Sequence, residues 1–338
     1  MAIRNFFNPK MLIIMISRLR RKAAVATVVS LMFAAALAAQ ERNDVVQAYN
    51  EGAKAIQTDP AAAIKSFENA IALAEKVGET AADLKQKATS VLPGLYLKVA
   101  ANTFAEKKPV EDIMKTARTA SAIAAKHGTQ AHKDNASKIM VQAYGALATA
   151  YFNKNDYPGA LSTFDSLLAI NPDYQFAIYN KALIYLRTSN NDLFEKTIDL
   201  YLEKVKPANE EAKIKQASTL ALEYFRGAGS KANQADKTDD ALALLNKAAK
   251  YGDDKDLFYY FADVLSKKKD FDKALEYAQR GLDMETGAPE AKAKFYFQLG
   301  LAQEGKGMTT EACGSFKNAA FGPFAEPSKA KMKNLKCQ

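Results

Sequence analysis

Residues 142–172 read QAYGALATAYFNKNDYPGALSTFDSLLAINP. Tyr144, Leu147, Ala148 and Tyr151 recur at steps of three and four, which places them on one face of a helix. Asn155, Asp156 and Pro158 break that helix and start another, because Asp caps a helix N-terminus and Pro fits its first turn. Ala160, Phe164 and Leu167 form the second apolar face, and Asn171-Pro172 ends it. The stretch is a helix–turn–helix unit. Small residues mark the crossing of the two helices, and aromatic ones fill the space beside it.

The same spacing recurs on both sides. Towards the C-terminus, Tyr296, Leu299 and Gly300 precede Ala312, Phe316 and Ala319. Phe258, Phe261, Ala262 and Leu265 precede Ala274, Ala278 and Gly281. Ala217, Leu220, Ala221 and Tyr224 lead, across an apparent loop insertion from Gly227 to Asp240, to Ala241, Leu245 and Ala248. Weaker copies run from Ala182 and Tyr185 to Thr197 and Tyr201, from Leu97, Ala101 and Phe104 to Ile113, Ala117 and Ala120, and from Gly52 to Ala63, Phe67 and Ala70. Over residues 44–322 this pattern resembles the tetratricopeptide repeat, a helix pair of about 34 residues. Leu167 departs from a small position of that pattern, and Gln303 from an aromatic one.

The resemblance implies an all-α solenoid of about six to seven divergent helix pairs, wound as a right-handed superhelix. Residues 39–128 hold degenerate pairs, 129–326 the main array, and 327–338 a basic capping helix opened by Pro327. Between 74 and 96, where Pro93 interrupts a helical pattern, one kinked helix and two helices are both open.

Composition agrees with helix pairs. The chain has 338 residues, 62 of them Ala, against 16 Gly and 10 Pro, so strong helix formers greatly outnumber breakers. It also restricts chemistry. There is no Trp, and His127 and His132 are the two His. These His are five residues apart and do not share a helical face. Cys313 and Cys337 lie far from both, so a zinc site lacks its ligand spacing. Gly227-Ala228-Gly229-Ser230-Lys231 lacks both the spacing and the preceding strand of a phosphate loop and reads as an inter-helix loop. Gly305 to Thr310 reads as a turn of the last pair, and Lys267-Lys268-Lys269 as a solvated turn. Gly128-Thr129-Gln130 reads as a helix end followed by a linker. No catalytic residue, cofactor, metal or nucleic-acid partner is expected.

Charge is unevenly distributed. Residues 1–38 carry Arg4, Lys10, Arg18, Arg20, Arg21 and Lys22 with no acid, and the apolar run from Ala23 to Ala39 follows. This is the layout of a secretory signal, with cleavage expected before Ala39 or Gln40. Met11 and Met15 fall inside the basic region, and a start at Met15 gives a basic segment of more ordinary length. The alternative is an uncleaved membrane anchor. No Cys follows the apolar run, so a lipoprotein is not expected. Beyond residue 38 there remain 41 basic and 38 acidic residues, so the formal +9 of the whole chain is largely an export address. An exported chain meets an oxidising compartment, where Cys313 and Cys337 form a candidate disulfide.

In tetratricopeptide repeats, ligands lie against the first helices. The resemblance carries that role to Phe152, Tyr179, Arg187, Phe225, Arg226, Tyr259, Lys267 and Phe297. Asn153, Phe176, Asn180, Lys215, Ser218, Asp263, Lys294 and Gln298 flank them. Aromatic rings with Arg and Lys suit an extended peptide, although such rings also pack between repeats. The family's Lys and Asn carboxylate clamp is incomplete, because Leu183 stands where its second Asn belongs. The expectation is an exported, non-enzymatic scaffold for a protein or peptide partner in envelope assembly or secretion. A glycan-binding module and a membrane-anchored subunit of a translocation or maturation complex are the alternatives.

Overall fold

The computed structural model describes residues 39–338, with isolated positions between 15 and 32. The basic and apolar stretches read as an export signal lie almost wholly outside the described residues. Among the described residues there is no strand, and no helix is long and apolar enough to cross a membrane. Contacts divide the chain into residues 1–172 and 173–338. That break falls inside the stretch 129–326 that the sequence reads as a single array.

The first unit contains α1 (39–55), α2 (Pro60–Val77), α3 (Ala82–Ala105), α4 (Val110–His127), α5 (Gln130–Asn153) and α6 (Tyr157–Ile170). From α2 onward each helix packs on the next, and α3 also reaches α5, so each layer covers the apolar face of the one before. Gly52 on α1 meets the ring of Phe67, which is fully buried. The open question at 74–96 resolves into a break and an unbroken helix. Gly78, at φ +82°, ends α2, a short 3-10 turn follows, and α3 runs on through a buried Pro93. On α3 the packed stripe is Leu97 and Ala100, whereas Ala101 and Phe104 are exposed. The supposed linker at Gly128 is absent. Thr129 caps α5 in a reciprocal pair with His132, so α5 begins three turns before Gln142.

The second unit contains α7 (Gln175–Arg187), α8 (Asn191–Val205), α9 (Glu211–Gln234), α10 (Thr238–Ala249), α11 (Lys255–Lys267), α12 (Phe271–Met284), α13 (Pro289–Gly305), α14 (Thr309–Ala319) and α15 (Ala325–Asn334). The pairs are α7/α8, α9/α10, α11/α12 and α13/α14, and α15 packs on α14. From α5/α6 onward the turn inside each pair has one construction, which α1/α2 and α3/α4 do not share. A residue with positive φ (Asn155, Ser189, Asp236, Lys269 or Gly307) is followed by the N-cap of the second helix. Four residues after that cap lies the buried crossing residue: Ala160, Phe194, Ala241, Ala274 or Ala312.

That register corrects two expectations. Phe194, not Thr197, is the crossing residue of α8. The segment Gly227–Gln234 is the last part of α9, not an inserted loop, and it is the part that pairs with α10. A Cβ on Gly229 would stand 2.8 Å from Leu245 Cδ2, so the helices meet there more closely than an alanine permits. The phosphate-loop-like string is therefore a helix crossing. At the C-terminus, α15 starts at Ala325, with Pro327 in its first turn rather than at its opening. Cys337 lies beyond that helix, bonded to Cys313 of α14 with the two Cα atoms 5.6 Å apart.

Candidate functional site

The first helices of the second unit are joined to one another by side chains, and these bonds form a continuous polar seam. Gln175 on α7 accepts from Lys213 Nζ of α9 at 2.8 Å and donates to Glu210 at 2.8 Å. Arg226 of α9 pairs with Asp254, the N-cap of α11. Asn233 at the end of α9 donates to Asp263 of α11, and Gln298 of α13 donates to the other oxygen of Asp263 at 3.1 Å. Lys294 of α13 pairs with Asp256, and Lys331 of α15 holds Glu304 of α13 at 2.6 Å.

Two cavities open on these helices. The larger, about 520 Å³, is lined by Tyr174, Phe176, Tyr179, Asn180, Tyr201 and Lys213 with Asp173 and Gln175. Its aromatic side is built on α7 and α8: the rings of Tyr179 and Tyr201 lie 4.9 Å apart, and Tyr174 meets Phe176 edge-on at 6.2 Å. Phe176 is 46% exposed, a large apolar surface left to solvent at the cavity rim. Burial pushes both the Tyr179 and Tyr201 phenols above their ordinary pKa, so both are neutral hydrogen-bond donors at physiological pH. The smaller cavity, about 360 Å³, lies beside Asp263, Ser266, Lys267, Phe271, Leu301 and Glu304.

The residues expected to face a ligand fall into three groups. Tyr179 and Lys267 line the cavities, Arg226 belongs to the seam, and Tyr259 lies beside Lys294 of the seam. Tyr259 is half-buried against Phe295 with Lys294 Nζ 5.5 Å above its ring, and burial raises its phenol pKa. Lys267 Nζ holds the Asn233 carbonyl at 3.0 Å. Phe225 is withdrawn from the surface by packing, and Phe297 is partly so. Phe225 is fully buried among Phe194, Tyr224 and Tyr251, because the long α9 turns it towards α8 and α10. Phe297 is taken up by the rings of Phe316 and Phe324, at 5.6 and 5.3 Å. Phe152, in the first unit, packs edge-on against Tyr157 at 6.1 Å. Arg187 is exposed in the last turn of α7.

Sequence reasoning missed Tyr201, Lys213, Asn233 and Lys331. Asn233 and Lys213 were hidden by the misplaced end of α9. A signal existed: Phe225, Ala228 and Gly229 precede Ala241 at the same offsets as Tyr296, Leu299 and Gly300 precede Ala312. Among the described residues, no group of three or more His, Cys, Asp or Glu is placed to hold a metal ion. His132 serves as a helix cap.

No family model and no curated protein matches the sequence. The chain is similar to solved tetratricopeptide repeat structures. One, from Parabacteroides merdae, is 16% identical over 87% of this chain and 99% of its own, with a TM-score of 0.29. YrrB, described as having an unusual peptide-binding site, is 17% identical over 57% of this chain and 91% of its own, with a TM-score of 0.32. MamA is 21% identical over 59% of this chain and 97% of its own, with a TM-score of 0.30. At these values the repeat architecture rests on the chain's own helix contacts.

Proposed function

We propose that this chain is an exported, non-enzymatic scaffold that binds an extended segment of a partner protein along the first helices of its second unit. The aromatic cavity on α7 and α8 carries this reading. Its volume suits one or two large side chains, its rings supply apolar contact area, and Asn180 and Lys213 at its edge can engage main-chain carbonyls or a carboxylate. Export is supported by the acid-free basic start and the apolar run after it. It is supported also by the bonded Cys313–Cys337 pair, a feature of oxidising compartments. A role in envelope assembly or secretion is the reading that such a location and a binding surface support together.

The test is selection of random peptides on the immobilised full-length protein, followed by affinity measurement on variants. Selected peptides should share an aromatic or large aliphatic residue. Phe176→Ala and Tyr179→Ala should each weaken them by at least about tenfold, the loss expected of an anchor residue, and Phe176→Ala, at an exposed position, should do so without lowering the melting temperature. Failure to enrich any common sequence, or affinities unchanged in both variants, would overturn the reading.

A further inference from the structure

The carboxylates along the seam have cations, with one exception. Asp254 has Arg226, Asp256 has Lys294, Asp236 has Lys267 and Glu304 has Lys331. Asp263 has none. Its oxygens accept from two carboxamides instead, Asn233 Nδ2 from α9 and Gln298 Nε2 from α13.

The carboxamides are as informative as the carboxylate. Asn233 is 3% exposed and Gln298 2%, yet Asn233 Oδ1 and Gln298 Oε1 have no hydrogen-bond partner. Turning either amide over would set its oxygen against the carboxylate, so the charge on Asp263 keeps both oxygens orphaned. Buried acceptors of this kind are normally satisfied, and each orphan calls for an explanation. One turn along α11, Ser266 Oγ is buried and unpartnered as well, and Ser266 and Asp263 together border the smaller cavity. The neighbouring cation is committed elsewhere: Lys267 Nζ sits on the Asn233 carbonyl at 3.0 Å and on Asp236 at 3.4 Å.

We propose that Asp263 and Ser266 on the wall of the smaller cavity, with the Asn233 and Gln298 carboxamides holding the carboxylate from behind, form a receptor site for a primary ammonium group, a lysine side chain or a free amino terminus of the bound peptide. At the cavity wall the site offers a carboxylate without an ion-pair partner and, in Ser266 Oγ, an unpartnered acceptor. An ammonium brings one positive charge, three N–H donors and no acceptor. A carboxylate ligand would be repelled by Asp263, and an apolar one would leave Ser266 Oγ unsatisfied. The inference rests on the peptide-binding reading and adds a charge requirement to it.

The test uses n-butylammonium chloride as the probe and the side-chain NH₂ resonances of ¹⁵N-labelled full-length protein as the readout. The Asn233 and Gln298 signals should shift saturably with n-butylammonium and remain in place with n-butanol or sodium butyrate. Asp263→Asn, which keeps the shape and removes the charge, should weaken the response at least tenfold. Lys267→Met, which removes one of the two lysines lining the cavity, should tighten it several-fold, so the idea is testable even if Asp263→Asn misfolds. An equal response to n-butanol, or full binding by Asp263→Asn together with no gain in Lys267→Met, would overturn the proposal. An acetylated hexapeptide with one Lys and a Lys-free hexapeptide with a free amino terminus identify which ammonium is taken. Loss of this response while selected peptides still depend on Phe176 would overturn this inference alone. Loss of both would overturn the reading beneath it.

Discussion

At the scale of single residues, the fold depends on how little side chain stands where helices cross. Ala160, Ala241, Ala274 and Ala312 are all fully buried. Two further crossings tolerate no side chain at all. A Cβ on Gly281 would lie 2.4 Å from Phe295 Cε1, and one on Gly300 would lie 2.6 Å from Phe316 Cε1. Both rings are fully buried and have nowhere to move. Gly281→Ala should therefore destabilise the second unit by roughly 1–3 kcal/mol, the usual cost of overpacking, despite the better helix propensity of alanine. Gly314→Ala is the control. It lies inside α14 with nothing within 4 Å of its would-be Cβ, so it should gain up to about 1 kcal/mol from propensity. Urea denaturation of the two variants should move in opposite directions. The sequence displays these small residues openly, but it does not show what presses on each. Gly229 looked like part of a flexible loop until Leu245 was found against it.

At the scale of elements, the turn within the five pairs from α5/α6 onward is a local device of two residues. One adopts positive φ and the next caps the following helix. In the α11/α12 turn the positive-φ residue is Lys269, at φ 62°, and Asp270 accepts from the Lys273 N–H. A lysine in that conformation pays a steric cost of about 1–2 kcal/mol that glycine does not, offset in part by glycine's greater freedom when unfolded. Lys269→Gly or Lys269→Asn should accordingly stabilise the protein by up to about 1 kcal/mol, measured as a raised urea midpoint with unchanged slope. Such turns are legible wherever the cap is Asp or Asn, as at Asp156, Asn190 and Asp270. At α10 the cap is Lys237 and at α14 it is Met308, neither with a capping hydrogen bond from its side chain. The missing signal at Lys237 is one reason the end of α9 was misplaced. The other is that α9, at 24 residues, is nearly twice the length of α11 and carries two apolar stretches that each resemble a first helix.

At the scale of the whole molecule, electrostatics tie helices that are distant in sequence. Glu195 on α8 is held by Lys247 of α10 at 2.8 Å and also by Lys250, the C-cap of that helix. Burial alone would raise its pKa, but the two lysines outweigh burial and hold it below the ordinary carboxylate value. Asp256 is lowered in the same way, with Lys294 prevailing over burial. A carboxylate with a depressed folded-state pKa stabilises the fold above its unfolded pKa, and that contribution disappears as pH falls through the folded value. Melting temperature should therefore be steady above about pH 5 and drop as pH falls below about 4. Glu195→Gln should lower it at neutral pH and flatten the acid dependence. A variant with the same acid slope as the parent would contradict the role assigned to this pair.

The amino-acid sequence by itself determined that this is an array of helix pairs and where most of the turns fall. Those features follow from periodicity, caps and breakers acting over a few residues, and they are written locally. The basic start and near-neutral remainder were likewise plain from counting charges. Only the tertiary structure decided which face of α9 meets α10, and hence that Phe225 is core while Asn233 joins the seam. It alone placed Asp263 between two carboxamides from helices about 30 residues away on either side, and closed Cys313 onto Cys337. Those outcomes depend on the rotation of each helix about its axis when neighbours pack. That rotation is set by the summed fit of many side chains across the layer, and no short stretch of the chain encodes it.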